Sequence, residues 1–118
     1  MKVSTIIKSV KAKILCGEKL VDSVEIKAAC GADMMSDVLA FVKDQGMLLT
    51  GLINPQVVRT AEMMDMKCIL FVRGKTPEAS VIELAEERGI ILLSTEESLF
   101  GACGILYGEG VRPGTRAG

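Results

Sequence analysis

The chain has 118 residues, a formal net charge of −1, 49 % apolar residues and no histidine. That balance excludes a disordered chain and offers no basic excess to track a phosphodiester backbone. Without histidine, neither a Ser–His nor a Cys–His nucleophile pair can form within one chain.

In chain order, Ser4 is a candidate cap for a short helix over Thr5 to Val10. Ala12 to Cys16 reads as a strand, with a turn at Gly17-Glu18. Val24 to Cys30 reads as a second strand, of either direction, and Gly31-Ala32 breaks it. Asp33 is a good cap for a helix over Met34 to Lys43, on which Met35, Val38, Leu39 and Val42 recur at helical spacing.

One unit then repeats three times. Met47 to Thr50, Cys68 to Val72 and Ile90 to Leu93 are short continuous apolar runs. Each run is followed by a helix-opening signal: Asn54-Pro55, Thr76-Pro77, and Ser94-Thr95 with Glu96-Glu97. The helices carry apolar stripes at Val57, Ala61 and Met64, at Val81, Leu84 and Ala85, and at Leu99, Cys103 and Leu106. Gly89 and Gly108 stand where left-handed cap residues belong. Doubly apolar strands alternating with amphipathic helices predict a single α/β domain, a mainly parallel sheet of about five strands flanked by helices. The boundaries are residues 1–107 for the domain and 108–118 for a flexible tail containing glycines and arginines.

In such a sheet, ligands bind beyond the carboxyl ends of the strands, where helix N-termini favour anions. Right-handed crossovers bring three of those ends to one rim. The rim predicts Thr50, Gly51, Asn54, Gln56, Arg73, Gly74, Lys75, Thr76, Ser94 and Thr95 as ligand-binding candidates, with Arg59 about one turn into its helix. Arg73 and Lys75 flank a glycine and can close on a phosphate or carboxylate. Helix capping and solvated loop charge account for the same residue types without a ligand. Asp33, Ser36 and Asp37 form a second candidate, for a protein partner or, less readily, a cation.

Four scattered cysteines, Cys16, Cys30, Cys68 and Cys103, have no CxxC pair and read as core residues rather than metal ligands. Five methionines, Met34, Met35, Met63, Met64 and Met66, read as core filling, with an adaptable binding surface as the alternative. Gly101 and Gly104 thin one face of the last helix and permit close backbone approach. No phosphate-loop or dinucleotide-binding motif is present. No metal and no cofactor is expected, nor a nucleic-acid or membrane partner. The start of the chain lacks a signal-peptide pattern, so a cytoplasmic location is the expectation.

Two longer segments, Ala29-Cys30-Gly31-Ala32-Asp33-Met34-Met35-Ser36-Asp37-Val38-Leu39-Ala40 and Leu48 to Ala61, resemble the stand-alone DRTGG-domain proteins. Val72-Arg73-Gly74-Lys75 and Leu92-Leu93-Ser94-Thr95 extend the likeness. The Asp-Arg-Thr-Gly-Gly signature that names the family reads Asp22-Ser23-Val24-Glu25-Ile26-Lys27-Ala28-Ala29 here. The family resembles the N-terminal domain of HPr kinase/phosphorylase, without its kinase phosphate loop. The resemblance implies a non-catalytic regulatory or ligand-sensing module, a homodimer, with a nucleotide or other small phosphorylated anion as ligand. The alternatives are an interaction scaffold linked to hydrogenase or signalling components, and a small phosphotransferase.

Overall fold

A computed structural model describes residues 1–41 and 46–113. The elements are α1 (Val3–Val10), β1 (Lys13–Cys16), a 3₁₀ turn (Glu18–Leu20), β2 (Ala28–Gly31), α2 (Met35–Phe41), β3 (Met47–Thr50), α3 (Pro55–Met63), β4 (Cys68–Phe71), α4 (Ala79–Glu87), β5 (Ile91–Ser94), α5 (Leu99–Gly108) and β6 (Arg112–Pro113). They build one α/β domain around a six-stranded sheet of order β1-β5-β4-β3-β2-β6. The strands from β2 to β6 run parallel, and β1 is antiparallel to β5.

Every residue of β3, β4 and β5 is buried, as continuous apolar runs demand in a sheet covered on both faces. Alternate side chains feed two cores. On one face α1 and α5 cover Leu49, Leu70, Ile91 and Leu93 with Val3, Ile6, Ala102 and Leu106. On the other, α2, α3 and α4 cover Leu48, Ile69, Phe71 and Leu92 with Val38, Val57, Ala61, Val81 and Ala85. Burying one such aliphatic side chain contributes about 1.5–3 kcal/mol. No described helix is long and apolar enough to cross a membrane.

Several boundaries differ from the sequence reading. Lys2, not Ser4, precedes the first helix, and β2 begins only at Ala28. Of the stripe on α2, Met35 and Val38 are buried while Leu39 is 43 % exposed; Val42 and Lys43 lie outside the described residues. Thr76 and Pro77 do not open α4, which starts two residues later behind Glu78. The Pro77 ring is buried, so packing rather than capping fixes its place. Ser98, three residues beyond Thr95, caps α5 by accepting from the Gly101 N–H at 3.0 Å. Gly108 stays within α5, and the left-handed residue after it is Gly110. Residues 108–113 belong to the domain rather than to a flexible tail, because Val111 is buried and Arg112–Pro113 pair with β2. This adds a sixth strand to the expected five. Residues 114–118 lie outside the described residues.

Candidate functional site

Parallel pairing places Gly31, Thr50, Phe71 and Ser94 at the carboxyl edge of the sheet. The antiparallel β1 brings the end of α1 to the same edge, since Lys13 pairs with Ser94. The loops leaving β2, β3, β4 and β5 meet there, and hydrogen bonds knit them into one rim.

Three strand-end hydroxyls are committed to that knitting. Thr50, fully buried, donates to Asp33 Oδ1 at 3.0 Å and accepts from the Leu52 N–H. Ser94 donates to the Lys75 carbonyl at 2.9 Å. Thr95 donates to the Val10 carbonyl at 2.6 Å and accepts from the Glu97 N–H, tying α1 to the rim. A buried hydroxyl so used stabilises the loops and has little left for a ligand.

The β4–α4 loop is built differently. Arg73 and Gly74 both have positive φ, 59° and 67°, and the Lys75 N–H donates to the Val72 carbonyl at 3.2 Å. This is a tight turn with two left-handed central residues, a conformation that disfavours a side-chain-bearing residue by roughly 1–2 kcal/mol. Two further bonds hold it: Arg73 N–H to the Glu97 carbonyl and Gly74 N–H to the Thr95 carbonyl, both 2.8 Å. The strain is therefore over-determined by the neighbouring loop, which is what lets it persist.

The turn sets the Arg73 side chain on Gly51. A Cβ on Gly51 would overlap Arg73 Nη2 and lie 2.8 Å from its Cζ, so only glycine admits the guanidinium there. The Gly51 N–H donates to Asp33 Oδ1 at 2.8 Å. That bond holds the Asp33 carboxyl below the ordinary aspartate range; burial opposes it, and the Thr50 hydroxyl and the Arg73 charge add smaller effects in the lowering direction. On the far side of the turn the Glu96 carboxylate lies against Gly74, where a Cβ would be 2.8 Å from Oε2.

Among the described residues the Arg73 guanidinium has no hydrogen bond or ion pair. Exposed on the surface, it offers planar donors suited to bidentate contact with a phosphate or carboxylate. Lys75, two residues on, is exposed as well, and Asp33 and Glu96 make the rim mixed in sign. Such a rim can pair an anion at Arg73 and accept from hydroxyl or amine groups at the carboxylates.

Of the sequence candidates, Thr50, Gly51, Arg73, Gly74, Lys75, Ser94 and Thr95 are linked by these contacts. Asn54 caps α3, accepting from the Gln56 N–H at 3.0 Å, and Gln56 is exposed in the first turn. Arg59 is exposed one turn further along α3, and Thr76 is exposed before Pro77; no described side-chain contact joins either to Arg73. Asp33 leaves the group formed with Ser36 and Asp37 and joins the rim, while those two remain exposed on α2. Glu96, which reads in the sequence only as part of a helix opening, also stands at the rim, against Gly74. Among the described residues no three Cys, Asp or Glu side chains gather as metal ligands. Cys16 and Cys68 are buried, and Cys30 and Cys103 half-buried.

No curated protein matches the chain significantly in sequence. Among solved structures it is similar to the CBS and DRTGG domains of the regulatory region of Clostridium perfringens pyrophosphatase, a structure determined with the activator diadenosine tetraphosphate. The TM-score is 0.70 at 16 % identity, over 95 % of this chain and 47 % of that one. The chain thus spans about half the length of that regulatory region, and the likeness is one of fold. The DRTGG domain family itself matches residues 5–107, from within α1 to within α5 and across every loop of the rim, and the chain belongs to that family.

Proposed function

We propose that this chain is a non-catalytic regulatory domain, acting as a homodimer, whose strand-end rim binds a small phosphorylated anion such as a nucleotide. The observation that carries this reading is the Arg73 guanidinium: held over Gly51 by a strained turn, exposed, and without a partner among the described residues. A strained residue costs stability, and an anion contact at the rim is the return that accounts for keeping it. The pyrophosphatase region of similar fold was solved with a nucleotide activator, which makes nucleotides the first compounds to test. Catalysis has little support, because the rim carboxylates face no histidine and no phosphate loop.

Thermal denaturation with a panel of nucleotides, sugar phosphates and inorganic phosphate tests the ligand. At least one compound should raise the melting temperature of the wild type and fail to raise that of Arg73→Gly. No shift across the panel would refute anion sensing.

A second reading, a protein-docking scaffold, is favoured by Met34 and Leu39, which are 63 % and 43 % exposed beside Ser36 and Asp37 on and before α2. It expects Asp37→Lys to abolish capture of a partner from native extract while leaving the fold intact.

A further inference from the structure

The ten residues of α5, Leu-Phe-Gly-Ala-Cys-Gly-Ile-Leu-Tyr-Gly, include no charged side chain. A helix apolar on every side belongs in an interior. Yet Phe100 is 89 % exposed and Tyr107 57 % exposed. The outer faces of α3 and α4 carry Arg59, Glu62, Glu83 and Glu87, as solvated helices should. Phe100, Gly104 and Tyr107 follow at i, i+4 and i+7 and so share one face of α5. A Cβ on Gly104 would meet nothing within 4 Å, so the middle of that face is open to close approach.

Beside the carboxyl-terminal half of α5 lies a half-open apolar groove of about 180 Å³. Gly31 and Leu49 of the sheet, and Cys103, Leu106 and Tyr107 of α5, line it. The sheet has no side chain at Gly31, where Cys103 Sγ fills the place a Cβ would take. Arg112 lines it too, its guanidinium 4.3 Å from the Tyr107 ring centroid. A cavity of about 150 Å³ accepts a benzene-sized ring, so this groove has room for one aromatic side chain.

We infer that the outer face of α5 is where a second copy of this chain docks, with Phe100 of each copy seated in the groove of the other. The inference rests on the dimeric reading above. A two-fold axis near Gly104, across the helix, pairs the α5 helices antiparallel. It sets the start of one helix, with Phe100, against the end of the other, with Tyr107 and the groove. The ring and the receiving groove thus lie where a symmetric contact requires them. α5 itself brings no charged side chain to the symmetric contact. An aromatic side chain buries roughly 150–250 Å², so the exposed parts of two phenylalanines and two tyrosines supply about 500 Å². That is a substantial share of the ~1,200 Å² of a small specific interface, and the groove walls and glycine face add to it.

Light scattering on the purified full chain, with Phe100→Asp and Gly104→Cys, tests the surface. The expected results are a dimeric wild type, a monomeric Phe100→Asp with unchanged circular dichroism, and a 104–104 disulfide between copies on oxidation of Gly104→Cys. Ser80→Cys, on the outer side of α4, should give no such cross-link. A Phe100→Asp protein that stays dimeric, with Gly104→Cys uncross-linked, overturns this surface while leaving the dimer intact. A wild type that is monomeric at high micromolar concentration overturns both, and leaves the groove to some other occupant.

Discussion

The Arg73 guanidinium rests directly on Gly51, in space that any Cβ at position 51 would take. The β3 and β4 loops are therefore matched: one supplies the missing side chain, the other the strained turn that fills its place. Gly51→Ala should displace the guanidinium at little cost in stability, because the far end of a flexible side chain can move. Ligand response should fall with it. Comparing melting temperatures of the variant with and without the responding compound checks both halves.

Replacing Arg73 separates stability from recognition. Glycine adopts the left-handed turn without the side-chain penalty, so Arg73→Gly should keep or gain stability, by up to about 1 kcal/mol. A β-branched residue there is disfavoured, and Arg73→Val should lose roughly 1–2 kcal/mol. Urea denaturation of the three proteins gives the order, and both variants should lose the ligand response.

Asp33 links the β2 end to this pair, and its titration has a definite sign. The Gly51 N–H holds its carboxyl below the ordinary range. Its stabilising effect should be fully present above the unfolded value of about 3.9 and vanish as pH falls through the lower folded value. Wild type should therefore exceed Asp33→Ala in melting temperature by a constant margin near neutral pH. The margin should close below about pH 4.

Thr95 is the test of a purely structural rim residue. Its hydroxyl satisfies the Val10 carbonyl and the Glu97 N–H. Thr95→Val leaves both short of a partner and should cost about 1–3 kcal/mol in chemical denaturation, with Thr95→Ser losing much less. Ligand response, measured well below the melting point, should survive.

Thiol accessibility follows the two cores. Burial pushes the Cys68 thiol up strongly, and that of Cys16 in the same direction. Neither should react with an aromatic disulfide reagent in the native state. Cys30 and Cys103 are half-buried and should react slowly there, and denaturant should expose all four.

The repeating strand–helix units were legible in the sequence because doubly buried strands leave unbroken apolar runs and Asn54-Pro55 is a strong helix start. The shared rim followed from parallel pairing with right-handed crossovers. What stayed hidden depended on contacts between distant residues. Nothing local shows that Asp33 would reach Gly51 and Thr50 rather than serve its own helix. Arg73 reads as a solvated loop charge until its positive φ is known. Thr95 resembles a helix cap, and its true partner, Val10, lies 85 residues away. β6 is hidden because the two residues Arg112–Pro113, between Val111 and Gly114, carry no period for a pattern to reveal.

Anion binding at the rim around Arg73 can be followed residue by residue, by amide chemical-shift mapping of the isotopically labelled chain during titration with ATP, AMP and inorganic phosphate. Saturable shifts centred on Gly51, Gly74 and Lys75 are expected with at least one of these probes, and should disappear in Arg73→Gly. Shifts confined to the α5 groove, or a spectrum unmoved by every probe, would rule out an anion site at the rim.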